Sequence, residues 1–242
     1  MKRIVVLLIV LMSISGCSQQ ESEAVEVIEE PVEVVEEVVE EEVKHASVLY
    51  QGHASMRVTT PEDKVIYIDP YMGDGYEEAA DLILITHDHY DHVGTDLIVN
   101  KSDDCQIIRW NDMLVDGTYQ SVDVMDVHVE AVEAGNNPNH PLNSGVGYVL
   151  TFSDGIKLYI SGDTSPTEKM DTLEGIDYMF ISCDGIYNMN TEEAIECANK
   201  VNAKHSIPYH TKPDALYDES IALSFVCDSA MYVKPGEVIA LD

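Results

Sequence analysis

The stretch Leu82-Ile83-Leu84-Ile85-Thr86-His87-Asp88-His89-Tyr90-Asp91-His92-Val93-Gly94 decides how this chain is read. Four consecutive aliphatic residues predict a buried strand, and the polar run behind them, closed by Gly94, predicts a tight turn at its end. That turn packs the imidazoles of His87, His89 and His92 beside the carboxylates of Asp88 and Asp91. Neutral imidazole and carboxylate together suit divalent zinc, with manganese or iron also accommodated, and such a turn can aim its ligands at two neighbouring ions. The plainer alternative is a polar loop with surface histidines. A chain with nine histidines would rarely place three within six residues beside an Asp by chance.

Catalytic metals hold about three protein ligands and keep a position open, so further donors are expected downstream. Strand-like Lys157-Leu158-Tyr159-Ile160 is followed by Ser161-Gly162-Asp163-Thr164, and His205-Ser206-Ile207-Pro208-Tyr209-His210 ends another short strand on a histidine. His140 stands in the loop Ala134 to Pro141, just ahead of Gly145-Val146-Gly147-Tyr148-Val149-Leu150. Taken singly, a Gly-Asp-Thr is more often an ordinary turn and a Pro-x-His an ordinary loop. Their order behind the first motif changes that weighing.

The His-x-His-x-Asp-His spacing, followed in order by Gly162-Asp163-Thr164 and His210, resembles the signature of the metallo-β-lactamase superfamily. The resemblance implies an α/β fold, an αββα sandwich with the metals at one edge. It implies that His87, His89 and His140 hold one zinc, that Asp91, His92 and His210 hold a second, and that Asp163 bridges both. The implied chemistry is hydrolysis of a small ester, lactone or phosphodiester by a hydroxide shared between the ions, with Asp91 and Asp163 as the catalytic carboxylates. His128, in an alternating strand, is read as structural. Gly52-His53-Ala54-Ser55 and Ile68-Asp69-Pro70-Tyr71 resemble the opening of a branch related to sugar-phosphate lactonases. There Asp69 would support the metal loop through hydrogen bonds and His53 would line the pocket, a core histidine being the alternative. Tyr187, after another strand end, reaches the pocket or is a structural tyrosine. Two other classes stay open: a di-iron redox enzyme, against which His89 argues because flavodiiron proteins commonly carry Glu there, and a metal-binding or sensing module without turnover.

The rest of the chain divides by composition. Met1-Lys2-Arg3 and the apolar run Ile4 to Met12 form an export signal over residues 1–16, too short to span a bilayer as a helix of about 20 residues. Ile14-Ser15-Gly16-Cys17 resembles a bacterial lipobox, which implies cleavage before Cys17 and lipid attachment there, with the domain extracytoplasmic and membrane-anchored. Residues 17–44 alternate Glu and Val around Pro31 and read as a solvated spacer, spanning about 25–30 Å if flexible. Residues 45–242 have the composition of one globular domain. Strands are expected at 47–50, 64–68, 82–85, 106–110, 122–129, 146–152, 158–160, 178–182, 204–207 and 237–241, with helices after Thr191 and across 219–227.

Charge narrows the partners. Lys and Arg number 13 against 45 Asp and Glu, a net −32, and the basic residues form no stripe, so nucleic acid is excluded and a small molecule is the expected substrate. Lys212, beside the His210 loop, could still hold one phosphate. Cys105, Cys183, Cys197 and Cys227 match no zinc motif. Disulfides and buried thiols both remain open for them.

The lipobox generates a direct test. Cys17→Ser should release the protein from membranes or stall its processing, read by fractionation and by the N-terminal sequence of the mature chain. Retention at the wild-type level with the same processed N-terminus would refute the anchor.

Overall fold

The computed structural model describes residues 43–242. The export signal, Cys17 and nearly all of the spacer therefore lie outside the described residues. Two six-stranded sheets face each other. The first runs in the order β14 (Val238–Ala240), β1 (Ser47–Gly52), β2 (Ser55–Thr59), β3 (Val65–Ile68), β4 (Ala80–Ile85), β5 (Lys101–Arg109). A short helix α1 (Trp110–Met113) and the two-stranded ribbon β6 (Leu114–Val115) and β7 (Thr118–Tyr119) lead from it to the second sheet. That sheet runs β13 (His205–Tyr209), β12 (Tyr178–Ser182), β11 (Lys157–Ile160), β10 (Val146–Phe152), β9 (Val127–Glu133), β8 (Ser121–Val124).

Between the sheets lies the main core, with Tyr50, Met56, Ile66, Leu82 and Leu84 from one side and Val129, Tyr148, Leu150, Leu158 and Phe180 from the other. Period-2 alternation explains the partition: Leu82 and Leu84 face inward, while Ile83 and Ile85 join Tyr67, Ala80 and Ile98 on the outer face. Helix α2 (Thr191–Val201) covers the outer face of the second sheet through Ala194, Cys197, Ala198 and Val201. Asn190 caps it in a reciprocal box with Glu193, and Asn202 ends it in the left-handed conformation at φ 53°. Helix α3 (Glu219–Ser224) starts on an Asp218 cap, and Ala222 is its buried residue. Over the first sheet the outer layer is thinner, a 3-10 turn at Thr95–Leu97 with Ile98 and Tyr76 packed beneath it.

The secondary structure departs from expectation in four places. Ser55–Thr59 forms β2, although its polar residues and the preceding turn hid the alternation. The expected single strand 122–129 is a hairpin, broken where Met125 adopts φ 57°. The expected helix 219–227 stops at Ser224, and Trp110 starts a helix rather than ending a strand. All four cysteines of the described residues are free thiols.

The strands converge so that the C-terminal ends of β3, β4, β11, β12 and β13 lie at one edge. Parallel pairing of β3 with β4, and of β12 with both β11 and β13, causes this, because it brings successive strand ends to the same rim. Gly162, at the end of β11, has φ +62°, and an added Cβ would meet the Val146 carbonyl oxygen at 2.8 Å. Gly162→Ala should therefore destabilise the protein clearly more than Gly155→Ala. Gly155, at φ +89° with open space around it, carries only the left-handed backbone cost of about 1–2 kcal/mol. The collision should add roughly another 1–3 kcal/mol at Gly162. Urea unfolding of the two variants decides it, and equal losses would show that the close approach is relaxed at no cost.

Candidate metal centre

Asp69 organises this rim. It follows β3 with φ 45°, its backbone N–H donates to the Leu84 carbonyl at 3.0 Å, and its carboxylate is wholly buried. Oδ1 accepts the Thr86 N–H at 2.8 Å, while Oδ2 accepts the Thr86 hydroxyl at 2.6 Å and faces His92 Nδ1 at 2.8 Å. The turn after β4 is thus bound to the end of the neighbouring strand. With Nδ1 directed at a carboxylate, His92 donates its Nδ1 proton there and turns Nε2 to the site. Burial opposes its charge, but Asp163 and Asp69 outweigh it and hold the imidazole well above its usual range, and a cation at Nε2 would take the place of the second proton. His87 is clamped by a backbone bridge to Gly145, and the Val146 N–H donates to the Thr86 carbonyl at 2.9 Å.

Asp163 sits at the middle. Its Oδ1 lies 3.4 Å from His92 Nε2, and its Oδ2 lies 3.4 Å from His140 Nε2 and 3.4 Å from His210 Nε2. On one side His140 Nε2 and His89 Nδ1 face each other at 3.1 Å. On the other, His210 Nε2 is 4.0 Å from Asp91 Oδ2. Ligand-type atoms of His87, His89 and His140 form one close group, those of His87, His92 and Asp163 a second, and those of His53, Asp91, His92 and His210 a third.

The donor chemistry fits cations. His87 Nε2, His92 Nε2, His140 Nδ1, Asp163 Oδ1 and both ring nitrogens of His210 are buried without a hydrogen-bond partner. Leaving so many polar atoms unpaired in one place costs about 1–3 kcal/mol each, a sum that bound dications would offset. The electrostatics agree. Burial and the neighbouring His92 push the His87 imidazole well below its usual range, and burial lowers His140 and His210 as well, so these rings are neutral donors. Burial opposes ionisation of Asp163, yet His210 and His92 outweigh it and hold the carboxyl well below its usual range. At Asp91 burial is likewise outweighed, by the contact with His53 and the charge of His92, and the carboxyl is lowered.

Each residue singled out by sequence has a definite place. His87, His89, His140, Asp91, His92, Asp163 and His210 come together; His128 does not, lying half-exposed on β9 with its Nδ1 2.6 Å from Asp123. His53 is fully buried behind the pocket wall, with Nδ1 3.0 Å from the Ala215 carbonyl and Nε2 3.2 Å from Asp91 Oδ2. Tyr187 lines the pocket. Lys212 does not; its Nζ lies 3.8 Å from Asp218 Oδ2. Sequence reading missed Thr86, whose hydroxyl binds Asp69, and Tyr90 and Asp214, whose side chains bond to each other at the pocket mouth. The Thr directly before the motif was the available signal for the first; nothing local marks Asp214.

Residues 47–210 match the family model described as "Beta-lactamase superfamily domain". The chain belongs to that superfamily. It is 29% identical over 234 residues to a UPF0173 metal-dependent hydrolase of Myxococcus xanthus, covering 80% of this chain and 83% of that one. A UPF0173 metal-dependent hydrolase of Thermococcus onnurineus is 28% identical over 224 residues, covering 80% of this chain and 99% of its own. Among solved structures, one described as a metal-dependent hydrolase from Parabacteroides distasonis superposes with a TM-score of 0.64 at 28% identity, over 78% of this chain and 92% of that one. A metallo hydrolase from Ignicoccus hospitalis, at 18% identity and a TM-score of 0.62 over 81% of this chain and 98% of that one, shows the fold alone. The chain is a metal-dependent hydrolase of the metallo-β-lactamase superfamily.

Because Asp69 holds the Thr86 turn and the His92 tautomer together, Asp69→Ala should lower metal affinity about 10–100-fold. It should also cost about 2–4 kcal/mol of stability through its stranded buried donors. Chelator competition and thermal melts measure the two. An unchanged affinity with reduced stability would confine Asp69 to the fold.

Proposed function

We propose that this is a membrane-anchored, zinc-dependent hydrolase that uses two ions on a small ester, lactone or phosphodiester. His87, His89 and His140 would hold one ion, Asp91, His92 and His210 the other, with Asp163 between them. The observation that carries the reading is the set of buried, unpartnered ligand atoms around Asp163, opening on a cavity of about 290 Å³ lined by His89, Asp91, His140, Asp163 and His210. A purely structural site would be closed; this one adjoins a cavity large enough for a small substrate. Zinc is favoured over iron by the imidazole-rich donor set and by His89 in particular. The anchor rests on the lipobox-like segment ending at Cys17.

Two dications in this pocket would polarise a carbonyl or phosphoryl oxygen and acidify water. The chain's own residues supply the rest. Asp163 contributes a fixed buried anion that lets two cations sit close together. Asp91, ionised and on the cavity wall, would be placed to accept a hydrogen bond from an attacking water and orient it. His53 and His210 flank Asp91 and fix where that carboxylate points. Cys183 is not a competing nucleophile, since its buried thiol is pushed up to about 12.

Asp163→Asn keeps the shape and removes the anion. Elemental analysis should show fewer bound ions per chain, and hydrolysis of an ester, lactone and phosphodiester panel should fall by about two orders of magnitude or more with the fold intact. His140→Ala should lose metal where His128→Ala does not. A wild type holding at most one ion, or an Asp163→Asn variant as active as wild type, would show the two-ion reading to be wrong.

A further inference from the structure

The outer half of the pocket has a chemistry of its own. Beyond the candidate ligands, its wall is made by Tyr90, Asn139, Tyr187, Pro213 and Asp214, and among the described residues neither Lys nor Arg lines it. Tyr90 and Tyr187 are 65% and 46% exposed, so two aromatic rings face the mouth in a chain where aromatic residues are only 7%. Tyr90 is held in place at both ends. Its hydroxyl donates to Asp214, and its ring meets that of Tyr71 edge-on at 5.8 Å and 87°. Two basic side chains on adjoining segments are occupied elsewhere: Arg109 pairs with Asp88, which Trp110 Nε1 also binds, and Lys212 faces Asp218. The same pocket is lined by His140 and Asp163, whose buried Nδ1 and Oδ1 lack partners, so this is the approach to a ligand-taking site and not merely surface acid.

Aromatic faces beside a carboxylate, without a competing cation, form the recognition chemistry of an organic ammonium group. We propose that the outer pocket selects substrates that carry a cationic nitrogen, held by Tyr90, Tyr187 and Asp214, with the scissile bond directed at the candidate metal centre. The inference rests on the hydrolase reading above and narrows it, placing anionic substrates such as phosphodiesters last. The acidic chain, with 45 Asp and Glu against 13 Lys and Arg, reinforces the choice by attracting cations and repelling anions.

The test uses the zinc-loaded full chain and three matched thioacetates. These are acetylthiocholine, its uncharged 3,3-dimethylbutyl isostere, and a 3-carboxypropyl analogue. Calorimetric binding of choline, 3,3-dimethylbutanol and 4-hydroxybutyrate runs alongside. Expected is an order of kcat/KM of cation over neutral over anion, with about a tenfold cation-to-neutral ratio. Asp214→Asn and Tyr90→Leu should each reduce that ratio several-fold, while Tyr90→Phe, which keeps the ring, retains most of it. Metal content measured on every variant separates loss of selectivity from loss of ions. A neutral or anionic substrate handled as well as the cationic one, or a ratio unchanged in Asp214→Asn, overturns the inference. Should no thioester turn over, the hydrolysis reading is what fails for this class. The affinity ratio of choline to 3,3-dimethylbutanol then decides the selectivity on its own: a ratio near one refutes it, and a preference lost in Asp214→Asn sustains it.

Discussion

A carboxylate buried between two strands is the constraint on which the rest depends. Asp69 is wholly enclosed, and a buried anion is tolerated only where donors surround it; the Thr86 N–H, the Thr86 hydroxyl and His92 provide them. Each of those contacts fixes something else. The two from Thr86 set the direction in which the chain leaves β4, and the one from His92 chooses which imidazole nitrogen is left for a cation. A single side chain with no access to solvent thereby determines the aim of the turn that carries His87, His89, Asp91 and His92.

Around that turn the fold gathers donors from both sheets. His87 to His92 come from the first, whereas His140 precedes β10, Asp163 follows β11 and His210 follows β13, all in the second. Parallel pairing on each side makes this possible, because only strands running the same way bring their ends to one rim. Among the described residues no Lys or Arg lines the wall; Arg109 and Lys212 instead meet Asp88 and Asp218, and the pocket's character outside the donors is set by tyrosine and aspartate.

Much of this was legible in the sequence, for definable reasons. The donors of His87 to His92 are local, and an aliphatic strand followed by a turn reads directly as a strand end. Asp163 and His210 were recognisable because each also follows an apolar run. What was illegible is what depends on contacts distant in sequence or on a single dihedral angle. Ser55–Thr59 carries Ser, Arg and Thr, and is a strand because β1 and β3 flank it. The hairpin at Met125 turns on one positive φ at a residue that does not advertise it. The bond between Tyr90 and Asp214 spans more than a hundred residues, and the proximity of His53 to Asp91 arises from the packing of β1 and β2 on the neighbouring strands. No periodicity encodes such pairings.

The distribution of donors along the chain has a kinetic meaning. The first lie directly after β4 and the last directly after β13, so the set is incomplete until the final parallel strand of the second sheet has docked. Parallel strands with long connections are slow to pair, since loop closure must precede any reward from contact. A cation captured by the early turn alone would find too few ligands to stay. Tight binding of a cation therefore requires both halves of the sandwich to be in place, which ties metal affinity to the completed fold.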